Sequence, residues 1–157
     1  MFNAVRGAFL GALALVGTGS LLLIPLFLLW GPDRILVGPV LESNTLWVGV
    51  AMVFSLIAAT VGGWIAHRAS GALPAVYALA ALVLVFGLAD AAIHHWLVPE
   101  ISRFREDLSW GALLVGLREP LWYDLSGPVL MAVFVWVAGI CRHTEMTPDV
   151  QQKGRSG

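Results

Sequence analysis

Four long stretches of this sequence are almost free of charged side chains, and that constrains the fold more than any other feature. Residues 7–30 and 45–66 contain no Asp, Glu, Lys or Arg, while 73–98 contains only Asp90 and 121–140 only Asp124. Crossing about 30 Å of hydrocarbon takes about 20 mostly apolar residues in a helix, which satisfies its own backbone polar groups where water is absent. Each stretch meets that length. The sequence therefore predicts an all-α integral membrane protein: a four-transmembrane-helix bundle forming one membrane domain over residues 1–157.

Composition excludes the competing classes. Of the 157 residues, 59% are apolar and 12% charged, whereas soluble domains carry about a quarter charged residues. Disorder needs the opposite balance. A net charge of −1 supplies no basic surface for a nucleic acid. The first stretch is longer than the core of a cleaved signal peptide, so an uncleaved helix is expected. Cys141 is the sole cysteine, which excludes an internal disulfide and a cysteine-built metal cage. Its place near the end of the fourth span leaves palmitoylation or an inert thiol. No glycine-rich phosphate loop is present, so no nucleotide is expected. No nucleophile elbow is present either, and Ser126 reads as a helix-start hydroxyl.

The connections are short on one side and longer on the other. His67-Arg68-Ala69-Ser70-Gly71 is a tight turn, with Pro74 in the first turn of the third helix, where its missing N–H costs nothing. Gly31-Pro32-Asp33 closes the first helix by turn chemistry. Between the third and fourth spans, Ile101, Phe104, Leu108, Ala112 and Val115 recur at helical spacing opposite Arg103, Glu106 and Asp107. That pattern predicts an amphipathic interfacial helix within residues 99–119. Residues 142–157 read as a polar, flexible tail.

Positive charge sets the expected orientation. With the N-terminus inside, the cytoplasmic pieces hold Arg6, Arg68, Arg142, Lys153 and Arg155, and the outer loops hold Arg34, Arg103, Arg105 and Arg118. Both termini are accordingly expected in the cytoplasm of a plasma or inner membrane. Trp30, Trp47, Trp96, Trp122 and Tyr123 fall at one membrane face, the level that amphipathic rings favour.

Apolar helices gain nothing from leaving lipid for one another, so small residues that permit close approach mark their interfaces. The second span carries Ala51, Ser55, Ala59 and Gly63 four residues apart. Gly7 with Gly11, and Gly87 with Ala91, repeat the spacing. The row serves packing within the bundle or a seam with a second copy or a larger membrane complex.

Polar residues within the spans are costly and call for a partner or a water-filled cavity. They are Asp90, His94, His95 and Asp124. Counting outward from Val85 at the helical rise, Asp90 lies about 7 Å and His94 about 13 Å from the middle of the third span. Asp90 and His94, four residues apart, share a face; His95 points about 100° away, toward the side of Ala91.

Four readings of this layer follow. Asp90 with His94 is a candidate ligand pair for a transition metal, with Glu100, Glu119 or Asp124 as further ligands by depth. The same pair could relay protons, or Asp90 and Asp124 could form a carboxylate dyad. The fourth is an interhelical hydrogen bond without chemistry. Two aspartates toward one face of a four-span protein is also the layout of lipoprotein signal peptidases. Their Asn-x-x-Asp-Arg and Phe-Asn-x-Ala-Asp motifs are absent around Asp90 and Asp124, so that activity is not implied. His67 lies at the opposite membrane face from His94 and His95, so no intrachain bis-histidine haem is expected.

The resulting expectation is an accessory or structural subunit in the lipid bilayer rather than an enzyme on its own. The alternative is a metal-binding or proton-handling membrane protein, in transport or redox, using Asp90, His94, His95 and Asp124.

Overall fold

The computed structural model describes residues 2–37, 42–97, 117 and 119–145. Four long helices pack side by side: α1 (Phe2–Trp30), α3 (Thr45–Ser70), α4 (Leu73–Ala92) and α5 (Leu121–Glu145), with a one-turn helix α2 (Pro32–Ile35) after α1. All four are long and apolar enough to cross a membrane. The interfacial helix expected within 99–119 lies outside the described residues except for Leu117 and Glu119.

Three helices run past the apolar stretches that mark them: α1 begins at Phe2, α3 continues to Ser70, and α5 continues to Glu145 into the expected tail. Charge marks where hydrocarbon ends, not where a helix must end. Arg68 and Arg142 lie over the Trp64 ring, 5.1 and 5.8 Å from its centroid, which gives both cations an aromatic partner at the bundle's end. The end holding Arg6, Arg68 and Arg142 is called the basic end below, and the opposite one the acidic end.

The helices form a ring in the order α1, α3, α5, α4. Consecutive α3 and α4 stand across the ring although only Gly71 and Ala72 join them. Gly71 makes that turn with φ of 66° and its N–H bonded to the His67 carbonyl at 2.7 Å, a left-handed cap that glycine adopts without a Cβ penalty.

The interior is lined by small side chains, and large ones point outward, the inverse of a soluble domain. Ala51, Ala58, Ala59, Ala66 and Ala75 are buried, while Leu21, Leu29 and Phe86 are exposed. This is the economy of packing in lipid, where close backbone approach replaces hydrophobic burial. A Cβ on Gly7 would fall 2.7 Å from the Ala66 carbonyl, and one on Gly11 2.7 Å from the Gly62 carbonyl, closing the α1–α3 seam. Gly63 lies against the Val135 backbone in the α3–α5 seam. In the α4–α5 seam Gly87 meets Pro128 and Gly139 meets Val76.

The acidic end is closed by a folded connection. Leu36 and Ser43 form an isolated antiparallel bridge, Asn44 N–H donates to the Ile35 carbonyl at 2.7 Å, and the Asn44 side chain caps α3 by accepting from Trp47 N–H at 2.7 Å. Ile35 and Leu36 are thereby tucked against Phe27 and Trp47, with Leu117 packed on the same cluster. Trp47 is buried, its ring 5.9 Å from Phe27 and 6.2 Å from Trp30. It belongs to this plug and not to an interfacial belt, because the folded connection covers it; Trp96 and Trp122 are exposed.

Candidate functional site

The site begins where α4 changes its winding. The Ile93 N–H bonds to the carbonyls of both Ala89 and Asp90, and the chain continues as a π-turn over Ile93–Leu97. His95 faces α5, where its Nε2 lies 2.7 Å from Asp124 Oδ2. It stands four residues beyond Ala91, which is buried, and eight beyond Gly87, which meets Pro128 of α5, so the side of Ala91 on which the sequence places His95 is the side that adjoins α5.

Asp90 and His94 do meet, with Oδ2 and Nδ1 3.4 Å apart. Their side chains are 71% and 48% exposed, so this pair stands at the rim and His95 with Asp124 stands inside it.

Asp124 owes its position to the start of α5. The Pro120 carbonyl accepts from Tyr123 N–H at 2.8 Å and Asp124 N–H at 3.2 Å, which sets a carboxylate in the first turn, where the helix dipole favours negative charge. Asp124 also shares a hydrogen bond with Glu119, just before the helix. Two carboxyl groups can hydrogen-bond only by keeping a proton between them. The Glu119 carboxyl is pushed up to about 8. Burial is the largest cause, followed by the Asp124 charge, the bond to Asp124, and the Asp90 charge. On the far side of Glu119, Tyr123 is hydrogen-bonded to Ser55 of α3.

Glu119 and Leu117 form a wall between two cavities. One, about 80 Å³, is lined by Asp90, His94, His95, Leu117, Glu119 and Asp124. It is polar and has room for a few water molecules. The other, about 320 Å³, lies among α1, α3 and α5, with Trp47 and Tyr123 in its lining.

The structure thus brings Asp90, His94, His95 and Asp124 to one cavity, and adds Glu119 as the group joining that cavity to its neighbour. The sequence offers Glu119 only by depth, because it precedes the helix that carries Asp124 and no periodicity fixes its register. Among the described residues, no three His, Cys, Asp or Glu side chains gather as a metal-binding group. In the small-residue row, Ala51 lines the larger cavity, Ala59 sits in the core, Gly63 meets α5, and Ser55 holds Tyr123.

A second polar pair occupies the basic end. His67 of α3 is fully buried, and its Nε2 lies 3.3 Å from His143 Nδ1 of α5, with the rings at 70°. The expectation that no imidazoles from different helices meet considered only His67 against His94 and His95. α3 and α5 run parallel, so their basic ends coincide and bring His143 to His67.

Compared with family models, characterised proteins and solved structures, the chain matches none.

Proposed function

We propose that this chain is a multi-pass inner-membrane protein with both termini in the cytoplasm, whose acidic end forms a proton-exchanging centre at the outer face. The observation that carries this reading is the unbroken chain Glu119–Asp124–His95, with His95 2.7 Å from Asp124. Glu119 holds a proton that an ordinary carboxyl would have lost. Asp124 accepts hydrogen bonds from both neighbours, and His95, whose two ring nitrogens can each donate or accept, lines the small polar cavity. Asp90 and His94 at the rim connect that cavity to the surface.

Infrared titration of the protein in lipid nanodiscs tests the reading. A protonated carboxyl should persist at neutral pH, ionise near the value of about 8 that burial and Asp124 impose, and vanish in Glu119→Gln. Complete ionisation of every carboxyl well below neutrality would overturn it.

A second reading, an accessory or structural subunit of a larger membrane complex, rests on the exposed Asp90–His94 pair. Polar side chains at hydrocarbon depth favour a partner. An Asp90→Asn, His94→Ala variant that leaves native oligomers unchanged on blue-native gels would remove this reading and leave the first intact.

A further inference from the structure

The larger cavity beside Glu119 is not needed to exchange a proton with water. Its volume, about 320 Å³, falls within the range of small-molecule sites, roughly 300–1,000 Å³. It exists because small residues face it. Gly19 and Ser20 of α1 and Ala51 of α3 contribute almost no side-chain volume, and a Cβ on Gly19 would meet only Ala58, at 3.8 Å. Leu23, Ile24 and Leu117 supply apolar walls, and Trp47 and Tyr123 supply aromatic ones. The Glu119 carboxyl stands at one end. Ile24 is exposed on the outside of α1, so the cavity's rim meets the surface that faces lipid.

Among the described residues that line the two cavities, the acidic groups gather around Glu119. Asp124 of α5 and Asp90 of α4 lie beside Glu119, and no Lys or Arg lines either cavity among the described residues. The residues lining the cavity from α1 and α3 carry no titratable group. Among the described residues, the groups facing Glu119 are Asp124 and Tyr123 of α5 and Asp90, His94 and His95 of α4 and its π-turn. An anion would meet the Glu119 carboxyl with the Asp124 and Asp90 charges behind it. A cation carried on an apolar body meets aromatic side chains, apolar walls and a carboxylate together, the combination by which proteins hold quaternary ammonium groups.

We propose that this cavity binds small lipophilic organic cations, a quaternary ammonium or a protonated amine with an apolar substituent, in exchange for the proton on Glu119. The proposal rests on the proton-exchanging reading of Glu119. Charge balances: one cation enters, one proton leaves the Glu119 carboxyl through the Asp124–His95 side, and the carboxylate that remains pairs with the bound cation. Proton and cation compete for one carboxyl, so affinity rises with pH until the carboxyl is ionised without help.

The test uses the full chain in zwitterionic nanodiscs and benzyltrimethylammonium, which carries no exchangeable proton, so every proton released comes from the protein. Calorimetric titration in buffers of different ionisation enthalpy should show about one proton released per cation bound one unit below the carboxyl's pKa. Affinity should rise about tenfold per pH unit in that range and then level off. Glu119→Gln should abolish the proton release and the pH dependence and weaken binding at least tenfold. Gly19→Leu should fill the cavity and abolish binding, with cooperative thermal unfolding showing that the variant is folded. Wild-type affinity in Gly19→Leu, an unchanged pH slope in Glu119→Gln, or no binding by the wild-type chain would each overturn the proposal. If Glu119 titrates as an elevated carboxyl and no cation binds, this inference fails and the proton centre stands. If a cation binds in a cavity that Gly19→Leu closes but Glu119 ionises like an ordinary carboxyl, the exchange and the proton centre fail together, and only the pocket remains.

Discussion

At the basic end, His67 is fully buried and meets His143 beside seams where Gly7, Gly11 and Gly63 bring backbones into direct contact. At the acidic end, His95 meets Asp124 beside Glu119 at a wall between two cavities. Each end has an imidazole bridging α5 to another helix, but their surroundings differ. Close glycine contacts draw the helices together there and bury His67, with His143 exposed beside it. A proline-started helix, a π-turn and small side chains at Gly19, Ser20 and Ala51 leave space for waters or a ligand. Similar polar side chains thus hold a structure together where the helices touch, and stay available for exchange where the helices stand apart.

The comparison breaks most visibly at the basic seam. Gly63→Leu drives a side chain into the Val135 backbone and should prevent recovery of monodisperse protein, since backbone cannot yield as a flexible side chain can. His67→Ala removes a fully buried ring and should destabilise by about 2–4 kcal/mol, a cavity plus a lost hydrogen bond. Reversible unfolding in mixed micelles would measure it. If His67→Ala costs no more than a surface substitution, the basic end is not the structural one.

The acidic end should instead respond to pH. Glu119 carries a raised carboxyl pKa, about 8 against 4.5, so the folded state holds a proton that the unfolded state has released. Stability from this group is complete below the lower value, declines as pH rises between the two, and is flat above the upper. The decline should be on the order of 2 kcal/mol, less than the full shift implies because Glu119 is only partly buried and water screens it. Melting temperatures across that window should fall in the wild type and stay level in Glu119→Gln. The same fall in both proteins would place the titrating group elsewhere. The smallest effects separate Glu119's neighbours. Asp124→Asn removes an adjacent charge and should lower the Glu119 pKa by about one unit. Asp90→Asn, the weakest of the contributing causes, should lower it by less. Infrared titration of the two variants would reverse the assignment of inner and rim carboxylates if Asp90→Asn gave the larger shift.

Much of this was legible before any coordinates. The four helices follow from uninterrupted apolar length, which needs no partner to be read. Asp90 and His94 meet because four residues make one helical turn. His95 lies on the side of Ala91, as its spacing implies, but that this side adjoins α5 follows only from the order of the helices in the ring. Trp47 looked interfacial by its depth, but the fold of residues 31–37 over α3 buried it. The contact of His67 with His143 depends on α3 standing beside α5, an adjacency that short connections do not dictate.

The sequence alone determined that this chain is helical, where its long helices lie and which few ionisable groups they carry, because hydrocarbon imposes a minimum length and a high cost for charge along one dimension. The tertiary structure decided the partners: α3 beside α5, His95 on Asp124, Glu119 between two cavities, and His67 on His143. In lipid no hydrophobic drive selects which helices adjoin. Steric fit at Gly7, Gly11, Gly63, Gly87 and Gly139 makes that choice, and such fit exists only in three dimensions.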